Sequence, residues 1–465
     1  MQKTSNSILC ITIFILFWVL PAPQDLSLQG WHLFGIFLTT IIAIITNILP
    51  IGAISLIAFT LSVSLNVIST KNAFAGFSNP VAWLILIAFF LAQTIVDTGL
   101  GRRIALNFIK LLGKSTLGLS YGLAVCELLI APTIPSVTAR SGGIIMPIIQ
   151  SISNLYDSKP NCQSANKIGA FIISTTFQVS AVTCAMFMTA MGANPILAAL
   201  SMEQQIHISW GSWAIAGMLP GIISIAIIPL AIYLIYPPKI KHTPKTPQFA
   251  IQQLLALGKM KTQEYILIFV ILLLLILWIF GAKFNLDPTV AAMIGVCILL
   301  ISKTLNWHDA INNSTAWESF LWYSILVMLA KHLGDYGVIT WLNTHMIFLK
   351  NLDWQITLPL IAMIYFYSHY FFVSSTAHVL SMFPTMLSLS ILSGAPPQLA
   401  AYVLIFLSSL YGGLTHYSIA SAPILYGAGY VSIKQWWKIG FICSVINIFI
   451  WSTIGIVWWK VIGIW

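Results

Sequence analysis

Two short polar segments interrupt long apolar stretches, and each carries side chains that could bind an anion. Residues 136–140 read SVTAR, and residues 374–378 read SSTAH. Small hydroxyl residues where a helix begins leave backbone N–H groups free, and these positive dipole ends bind anions. The alternative is that the hydroxyls bond to their own helices, as Ser and Thr often do in membranes. Because the pattern occurs twice, we favour anion binding.

Arg140 and His378 occupy equivalent positions in the two segments, each two residues after the shared Thr. An arginine at membrane depth costs at least about 2.5 to 3.5 kcal/mol on insertion scales, so it needs an anionic partner. One alternative is a structural ion pair with Glu127, the carboxylate in the apolar part of the same region. The interpretation that we favour makes Arg140 and His378 fixed cations, one for each charge of a doubly negative substrate. Bidentate geometry is natural for Arg.

Each polar segment is followed by a second break in an apolar stretch. Residues 192–195 read GANP, and residues 415–423 read THYSIASAP. Proline inside a helix frees backbone carbonyls, which could complete a site beside a polar tip. The Asn194-Pro195 step alone would indicate only a kink. The predicted substrate-binding residues are Ser136, Thr138, Arg140, Asn194, Ser374, Ser375, Thr376, His378, Ser418 and Ser421.

The sequence favours a binding site over an enzyme. The six cysteines stand far apart without CxxC spacing, so we expect no metal site and no cofactor. An intramembrane enzyme is the alternative from another class, with an acid/base or metal group drawn from Glu127, His369, His378 and His416. These residues lie on separate predicted elements and lack a spacing such as HExxH. We therefore expect no catalytic residue.

The composition places these residues in a membrane protein. Of 465 residues, 58% are hydrophobic and 7% are charged, and the mean hydropathy is +0.92. Soluble proteins are roughly 45–50% apolar and about a quarter charged, so a soluble enzyme and a disordered chain are both excluded. The 21 Lys and Arg are spread between apolar segments, which argues against nucleic acid. The lipid bilayer is the expected partner.

The apolar runs predict an all-α polytopic protein with about eleven spans of roughly 20 residues each. Two further regions, 117–153 and 355–393, are too long for one span and are broken near the middle, so they predict re-entrant hairpins. Residues 1–23 could pass for a signal peptide, but no A-x-A site follows, and we favour an uncleaved first helix. The predicted spans are 8–22, 31–49, 51–68, 81–98, 168–191, 212–236, 264–281, 288–302, 319–334, 398–418 and 439–459.

An internal repeat divides the chain into two halves. The pattern LAxxxxDxG at residues 91–99 recurs at 329–337, and the polar segments recur at the same offset. Threading the chain with a cytoplasmic N-terminus places most Lys and Arg in cytoplasmic loops and makes the repeats inverted, as in many secondary transporters. The predicted organisation is a first half 1–236 with a broken helix 168–208, a cytoplasmic linker 237–263, and a second half 264–465 with a broken helix 398–432.

Three segments carry a resemblance to a known family. Residues 135–149 (PSVTARSGGIIMPII), 365–379 (YFYSHYFFVSSTAHV) and 411–441 (YGGLTHYSIASAPILYGAGYVSIKQWWKIGF) resemble the divalent anion/sodium symporters. They are most similar to the exchanger branch, the 2-oxoglutarate/malate translocators and citrate/succinate antiporters. The resemblance covers nearly the whole chain. It implies eleven spans, two re-entrant hairpins, a homodimer and an elevator mechanism.

The chain departs from the family at its signature Ser-Asn-Thr, which maps onto residues 136–138 and 374–376. Val137 and Ser375 replace both Asn residues, which help to hold sodium in sodium-coupled members. We therefore expect fixed cations in place of sodium, and a slow empty return because an unpaired buried charge costs several kcal/mol, roughly. The expected function is antiport of C4/C5 dicarboxylates such as malate, succinate or 2-oxoglutarate across a bacterial inner membrane. The alternative is sodium-coupled symport of a dicarboxylate or of another divalent anion such as sulfate.

Overall fold

The computed structural model describes residues 2–46, 48–345 and 353–465, and the described chain is helical without a β-strand. The predicted all-α fold is confirmed. The helices of the first half are α1 (Gln2–Val19), α2 (Leu28–Ile45), α3 (Ile51–Ser64), α4 (Thr70–Phe74), α5 (Pro80–Thr98), α6 (Leu100–Leu112), α7 (Thr116–Ile130), α8 (Met146–Leu155), α9 (Gly169–Met186), α10 (Asn194–Glu203) and α11 (Trp210–Ile235).

The rest of the chain comprises the predicted linker, which contains one helix, and the second half. Its helices are α12 (Lys245–Leu257), α13 (Thr262–Phe280), α14 (Pro288–Ile301), α15 (Trp307–Asn312), α16 (Ser314–Asp335), α17 (Val338–His345), α18 (Trp354–Ser368), α19 (Ser375–Leu392), α20 (Pro397–Leu410), α21 (Ala422–Gly427), α22 (Ile433–Ile450) and α23 (Ile456–Val461).

Eight helical segments in the described residues are long and apolar enough to cross a membrane, fewer than the predicted spans. They are Leu28–Ile45, Pro80–Thr98, Thr116–Thr133, Gly169–Met186, Trp210–Ile235, Thr262–Phe280, Ser375–Leu392 and Ile433–Val461. Three further apolar helices are shorter: Asn6–Val19, Ile51–Ser64 and Pro288–Ile301. The predicted span 398–418 is interrupted because α20 ends at Leu410 and a 3-10 turn follows. The predicted spans 8–22, 51–68 and 288–302 correspond to the three shorter helices, and 319–334 lies in α16, which is not among the eight. Two of the eight, Thr116–Thr133 and Ser375–Leu392, belong to the predicted hairpins.

The repeat is visible in the helix bounds. Helix α3 and helix α14 both have 14 residues, and α14 begins 237 residues after α3. Helix α7 and helix α18 both have 15 residues, and each passes into a three-residue 3-10 turn. Gly99 and Gly337, 238 residues apart, both have the left-handed backbone that glycine favours, with φ of 74° and 79°. The duplicated sequence therefore directs duplicated helices and turns.

The chain packs into two compact units, each assembled from separated segments. The first unit contains residues 1–86, 195–208 and 313–404, and the second contains 87–194, 209–312 and 405–465. Helices α7 and α8, the limbs of the first hairpin, lie in the second unit. Helices α18 and α19, the limbs of the second hairpin, lie in the first unit. Each unit therefore draws on both halves of the repeat.

The segment 237–263 belongs to the second unit and is docked there. The backbone N–H of Thr116 donates to the carbonyl of Lys241 at 3.0 Å, and that of Thr243 donates to Lys114 at 2.9 Å. The Thr243 hydroxyl donates to the carbonyl of Gly113 at 2.8 Å. This segment, which the sequence predicts to be a cytoplasmic linker, holds the start of the first hairpin and contains α12.

Candidate functional site

The first hairpin tip is a break between α7 and a π-helix, Ala139–Ile145. Helix α7 ends in the 3-10 turn Ala131–Thr133, and Pro132 and Pro135 deny the segment two backbone donors. The Ser136 hydroxyl accepts from the N–H of Ala139 at 3.2 Å, which caps the new helix. Thr138 is exposed. The tip therefore presents a capped helix N-terminus beside the exposed Thr138 side chain.

Arg140 follows the tip and is fully buried. Its Nε donates to Glu127 Oε1 at 2.8 Å. Its Nη1 donates to the carbonyl of Ala190 at 2.6 Å and to that of Ile134. Its Nη2 lies 3.2 Å from Cys184 Sγ. The guanidinium is thus engaged on every side by the protein.

This arrangement differs from the favoured interpretation, in which Arg140 faces the substrate. The structure has the ion pair with Glu127 that was the alternative. The physical reason is that an unpaired charge at low dielectric is costly. A buried guanidinium therefore pairs with the nearest carboxylate and with carbonyls that a helix break leaves without partners. Arg140 ties the tip, through Ile134, to the break after α9, through Ala190.

The break after α9 is closed by side chains of its own unit. The Thr189 hydroxyl donates to the carbonyl of Pro132, which adds a second tie to the first tip. Asn194 Nδ2 donates to the carbonyls of Cys184 at 2.7 Å and Phe187 at 2.9 Å. Asn194 therefore caps the C-terminus of α9, whose last carbonyls lack helical partners. Its amide nitrogen is committed to the backbone, and its Oδ1 accepts from the Ser409 hydroxyl at 3.0 Å, so neither atom is directed at a substrate.

Side chains also bind the carbonyls of the break between α20 and α21. Two buried hydroxyls in this break have no hydrogen-bond partner among the described residues. The Ser418 hydroxyl donates to the carbonyls of Gly412 and Thr415. Gln178 of α9 donates to the carbonyl of Gly413 at 2.8 Å. The hydroxyls of Thr415 and Ser421 are buried and make no hydrogen bond with any described residue. Ser421 is therefore the predicted residue of this break with hydrogen-bonding capacity to spare.

The second tip, in the first unit, repeats the capping geometry. Helix α18 ends at Ser368, a 3-10 turn follows, and α19 begins at Ser375. The Ser374 hydroxyl accepts from the N–H of Ala377 at 3.3 Å, just as Ser136 accepts from Ala139. Ser375 is buried and Thr376 is half-buried. Both tips therefore have a serine hydroxyl as the cap of the returning helix.

His378 is fully buried and packs among rings of its own hairpin. Its Nε2 lies 2.8 Å from the Ser368 hydroxyl. The ring centroids of Tyr365 and Phe372 are each 4.7 Å away, and that of His369 is 5.1 Å away. Like Arg140, His378 turns back into its hairpin, a contact that the favoured interpretation did not anticipate.

The predicted residues therefore form one set in each unit. The second unit holds Ser136, Thr138, Arg140, Asn194, Ser418 and Ser421, and the first unit holds Ser374, Ser375, Thr376 and His378. Two residues that sequence reasoning missed, Gln178 and Thr189, bind the breaks directly. For Gln178 the signal is compositional, because α9 carries a Gln and many hydroxyl residues although it is buried throughout. Thr189 lies in the 3-10 turn that follows α9.

The comparisons with known proteins agree over the whole chain. The family model described as the sodium:sulfate symporter transmembrane region matches residues 1–465. A putative malate transporter of Bacillus subtilis is 44% identical over 98% of this chain and 96% of its own length. Dicarboxylate transporter 1 of Spinacia oleracea chloroplasts is 43% identical, covering 97% and 80%. The Escherichia coli citrate/succinate antiporter is 31% identical, covering 96% of each chain.

A solved structure supports the fold. The YdaH transporter of Alcanivorax borkumensis matches with a TM-score of 0.56 at 14% identity, covering 84% of this chain and 87% of that one. At this identity the likeness concerns the fold alone. It agrees with a polytopic helical membrane protein.

Proposed function

This chain belongs to the sodium:sulfate symporter transmembrane family, and on that premise we propose that it exchanges C4 or C5 dicarboxylates without sodium. Malate, succinate and 2-oxoglutarate are the expected substrates. The names of the relatives support this substrate class, since they include dicarboxylate and malate transporters and a citrate/succinate antiporter. We further propose a bacterial inner-membrane location, a cytoplasmic N-terminus, a homodimer and an elevator motion.

The observation that carries the sodium-independent mode is the position of the Arg140 guanidinium. In secondary transporters, carbonyls freed by broken helices coordinate sodium. Here two such carbonyls, those of Ile134 and Ala190, accept from Arg140, and Glu127 completes the set. These oxygens are the ligands that a hard cation would take. The guanidinium of Arg140 is a resident cation that cannot leave. It therefore occupies the oxygen ligands that an exchangeable sodium ion would need.

The ion pair also changes how the substrate is held. Because Glu127 neutralises Arg140, the pair adds no net charge to the first tip. We therefore assign the carboxylates to the backbone N–H groups at the two helix N-termini and to the hydroxyls of Ser136, Thr138 and residues 374–376. Ser421 adds a buried hydroxyl. Arg140, Asn194, Ser418 and His378 shape the breaks and tips, so they are positioning residues.

Exchange follows from the charge of the substrate. A dianion that enters alone against 100 mV, inside negative, does electrical work of about 4.6 kcal/mol, at about 2.3 kcal/mol per charge. Without sodium to compensate, this opposes net uptake by more than about a thousandfold. A one-for-one exchange of dianions moves no net charge. The exchange mode therefore follows from the absence of a coupling cation rather than from an unpaired Arg140.

Reconstitution tests the proposal. The protein is placed in liposomes that hold a potassium diffusion potential of about 100 mV, inside negative, and malate uptake is measured with and without internal succinate, in sodium or in choline buffer. We expect uptake only with internal dicarboxylate, at the same rate in both buffers. Uptake into empty vesicles that requires sodium would overturn the exchange mode.

Sodium-coupled symport remains the second candidate because the family model is described by a sodium:sulfate symporter. Sulfate competition in the same vesicles separates the two candidates. Under our proposal, excess sulfate leaves malate exchange unchanged, since the proposed substrates are dicarboxylates. Competition by sulfate together with sodium dependence would favour the symporter.

A further inference from the structure

Helices α6 and α12 form an antiparallel pair on the second unit. Arg102 Nη2, at the start of α6, donates to Gln253 Oε1 near the end of α12 at 2.7 Å. At the opposite end, the Thr243 hydroxyl donates to the carbonyl of Gly113 at 2.8 Å. Each helix has 13 residues, or about 20 Å, which is too short to cross a hydrocarbon core of about 30 Å. The pair therefore has two ends, each built from both helices.

Both ends of the pair are basic. Residues 98–114 and 237–263 together contain nine Lys and Arg residues and no Asp or Glu. Arg103 is compensated by Glu264, whose Oε2 lies 2.6 Å from its Nε. The end at the start of α6 has Arg102, Arg103, Lys259 and Lys261, and the end at its C-terminus has Lys110, Lys114, Lys241 and Lys245.

Each end also exposes a large apolar side chain. Leu111, at the C-terminal end of α6, is 70% exposed, and Leu255, near the end of α12, is 75% exposed. Ile251 of α12 is 40% exposed. Exposed leucines beside lysines are typical of helices that lie in the membrane interface, with apolar side chains inserted below the headgroups.

We propose that this pair binds anionic phospholipid headgroups at the membrane surface and inserts Leu111 and Leu255 below them. Each Lys or Arg near an anionic surface adds to the attraction, so charge supplies much of the binding. Segment 237–246 is hydrogen-bonded to the first hairpin, so an anchored pair steadies the base of that hairpin. This site is independent of the substrate and of the transport mode.

Spin labels in membranes of defined charge test the proposal on the full-length protein. The exposed Cys162 and Cys297 are replaced by Ser, since the other four cysteines are buried. A single label is placed by Leu111→Cys or Leu255→Cys, and the protein is reconstituted in phosphatidylcholine alone or with phosphatidylglycerol. Accessibility to oxygen and to a water-soluble nickel complex is then measured. We expect both labels to become shielded from nickel only with phosphatidylglycerol.

Neutralising one end supplies a matched internal control. Replacement of Lys110, Lys114, Lys241 and Lys245 by Gln is expected to raise the phosphatidylglycerol fraction that half-shields the label at 111 about threefold or more. The label at 255 keeps its wild-type response, because its basic cluster is intact, and this response also reports that the variant is folded. Equal nickel accessibility in the two lipid compositions would overturn the proposal. So would a loss of shielding at both labels together.

Discussion

The two hairpins share a backbone geometry, but different side-chain contacts tie their tips to the first limb. In each, a 15-residue helix passes into a 3-10 turn, and a Ser hydroxyl caps the returning helix. Thirteen residues separate the two side chains that then meet, Glu127 with Arg140 in one hairpin and Tyr365 with His378 in the other. The first tie is a buried ion pair, and the second is a ring contact.

This difference indicates which features the tip requires. The serine cap and the break occur in both hairpins, so the backbone N–H groups are presented by geometry that the repeat shares. The side chain four residues after the serine reaches back to the first limb in both cases, whatever its charge. A tether between limbs is therefore the common function of Arg140 and His378. Arg140 also binds a carbonyl of a neighbouring break, that of Ala190.

The largest expected effect is on the stability of the first hairpin. Glu127→Gln leaves the Arg140 charge buried without compensation, which costs about 3 to 5 kcal/mol. We expect a lower thermal unfolding temperature and low yield in detergent. The matched control is Tyr365→Phe at the equivalent position of the second hairpin, which keeps the ring and costs less than about 1 kcal/mol. Equal stability of the two variants would show that the ion pair is not the tie.

The next effect concerns sodium. Arg140→Ala frees the carbonyls of Ile134 and Ala190 beside Glu127, which leaves oxygen ligands suited to a hard cation. We expect exchange in choline to fall about a hundredfold, a barrier increase of about 2.7 kcal/mol. Sodium should restore part of it, whereas His378→Ala should gain no sodium response. A variant that exchanges at the wild-type rate in choline contradicts the resident-cation model.

The sequence predicted the scaffold of this comparison but not its contacts. Hydropathy and the 238-residue offset located the tips, because proline and small residues must stop a helix. For Arg140 the sequence favoured a substrate over Glu127 as the partner, whereas the structure has the ion pair with Glu127. The distance between side chains depends on packing that a linear sequence does not contain. For the same reason Asn194, predicted as a ligand, was not recognised as a cap for the carbonyls of α9.

A smaller effect on stability is expected at His378. Two substitutions separate the packing of its ring from its contact with Ser368. His378→Ala removes a ring packed against Tyr365 and Phe372 and should cost about 2 kcal/mol of stability. His378→Phe keeps the packing and loses the contact with the Ser368 hydroxyl, at about 1 kcal/mol. Thermal unfolding and exchange assays report both. Exchange that survives Phe but not Ala supports a tether. If both variants lose exchange although His378→Phe remains stably folded, then His378 contacts the substrate instead.

The smallest effects test whether the two tips are equivalent. Ser136→Ala and Ser374→Ala each remove a helix cap, so each should cost about 1 kcal/mol and raise the KM for malate. Ser209→Ala is the matched control, because Ser209 caps α11 through the N–H of Ser212 at 3.0 Å, outside both tips. It should cost similar stability and leave KM unchanged. If only one tip serine alters the KM for malate, then only that hairpin binds the substrate, and the other hairpin shares the fold alone. The ion pair of Arg140 and the ring contact of His378 would then mark a functional difference between the two hairpins.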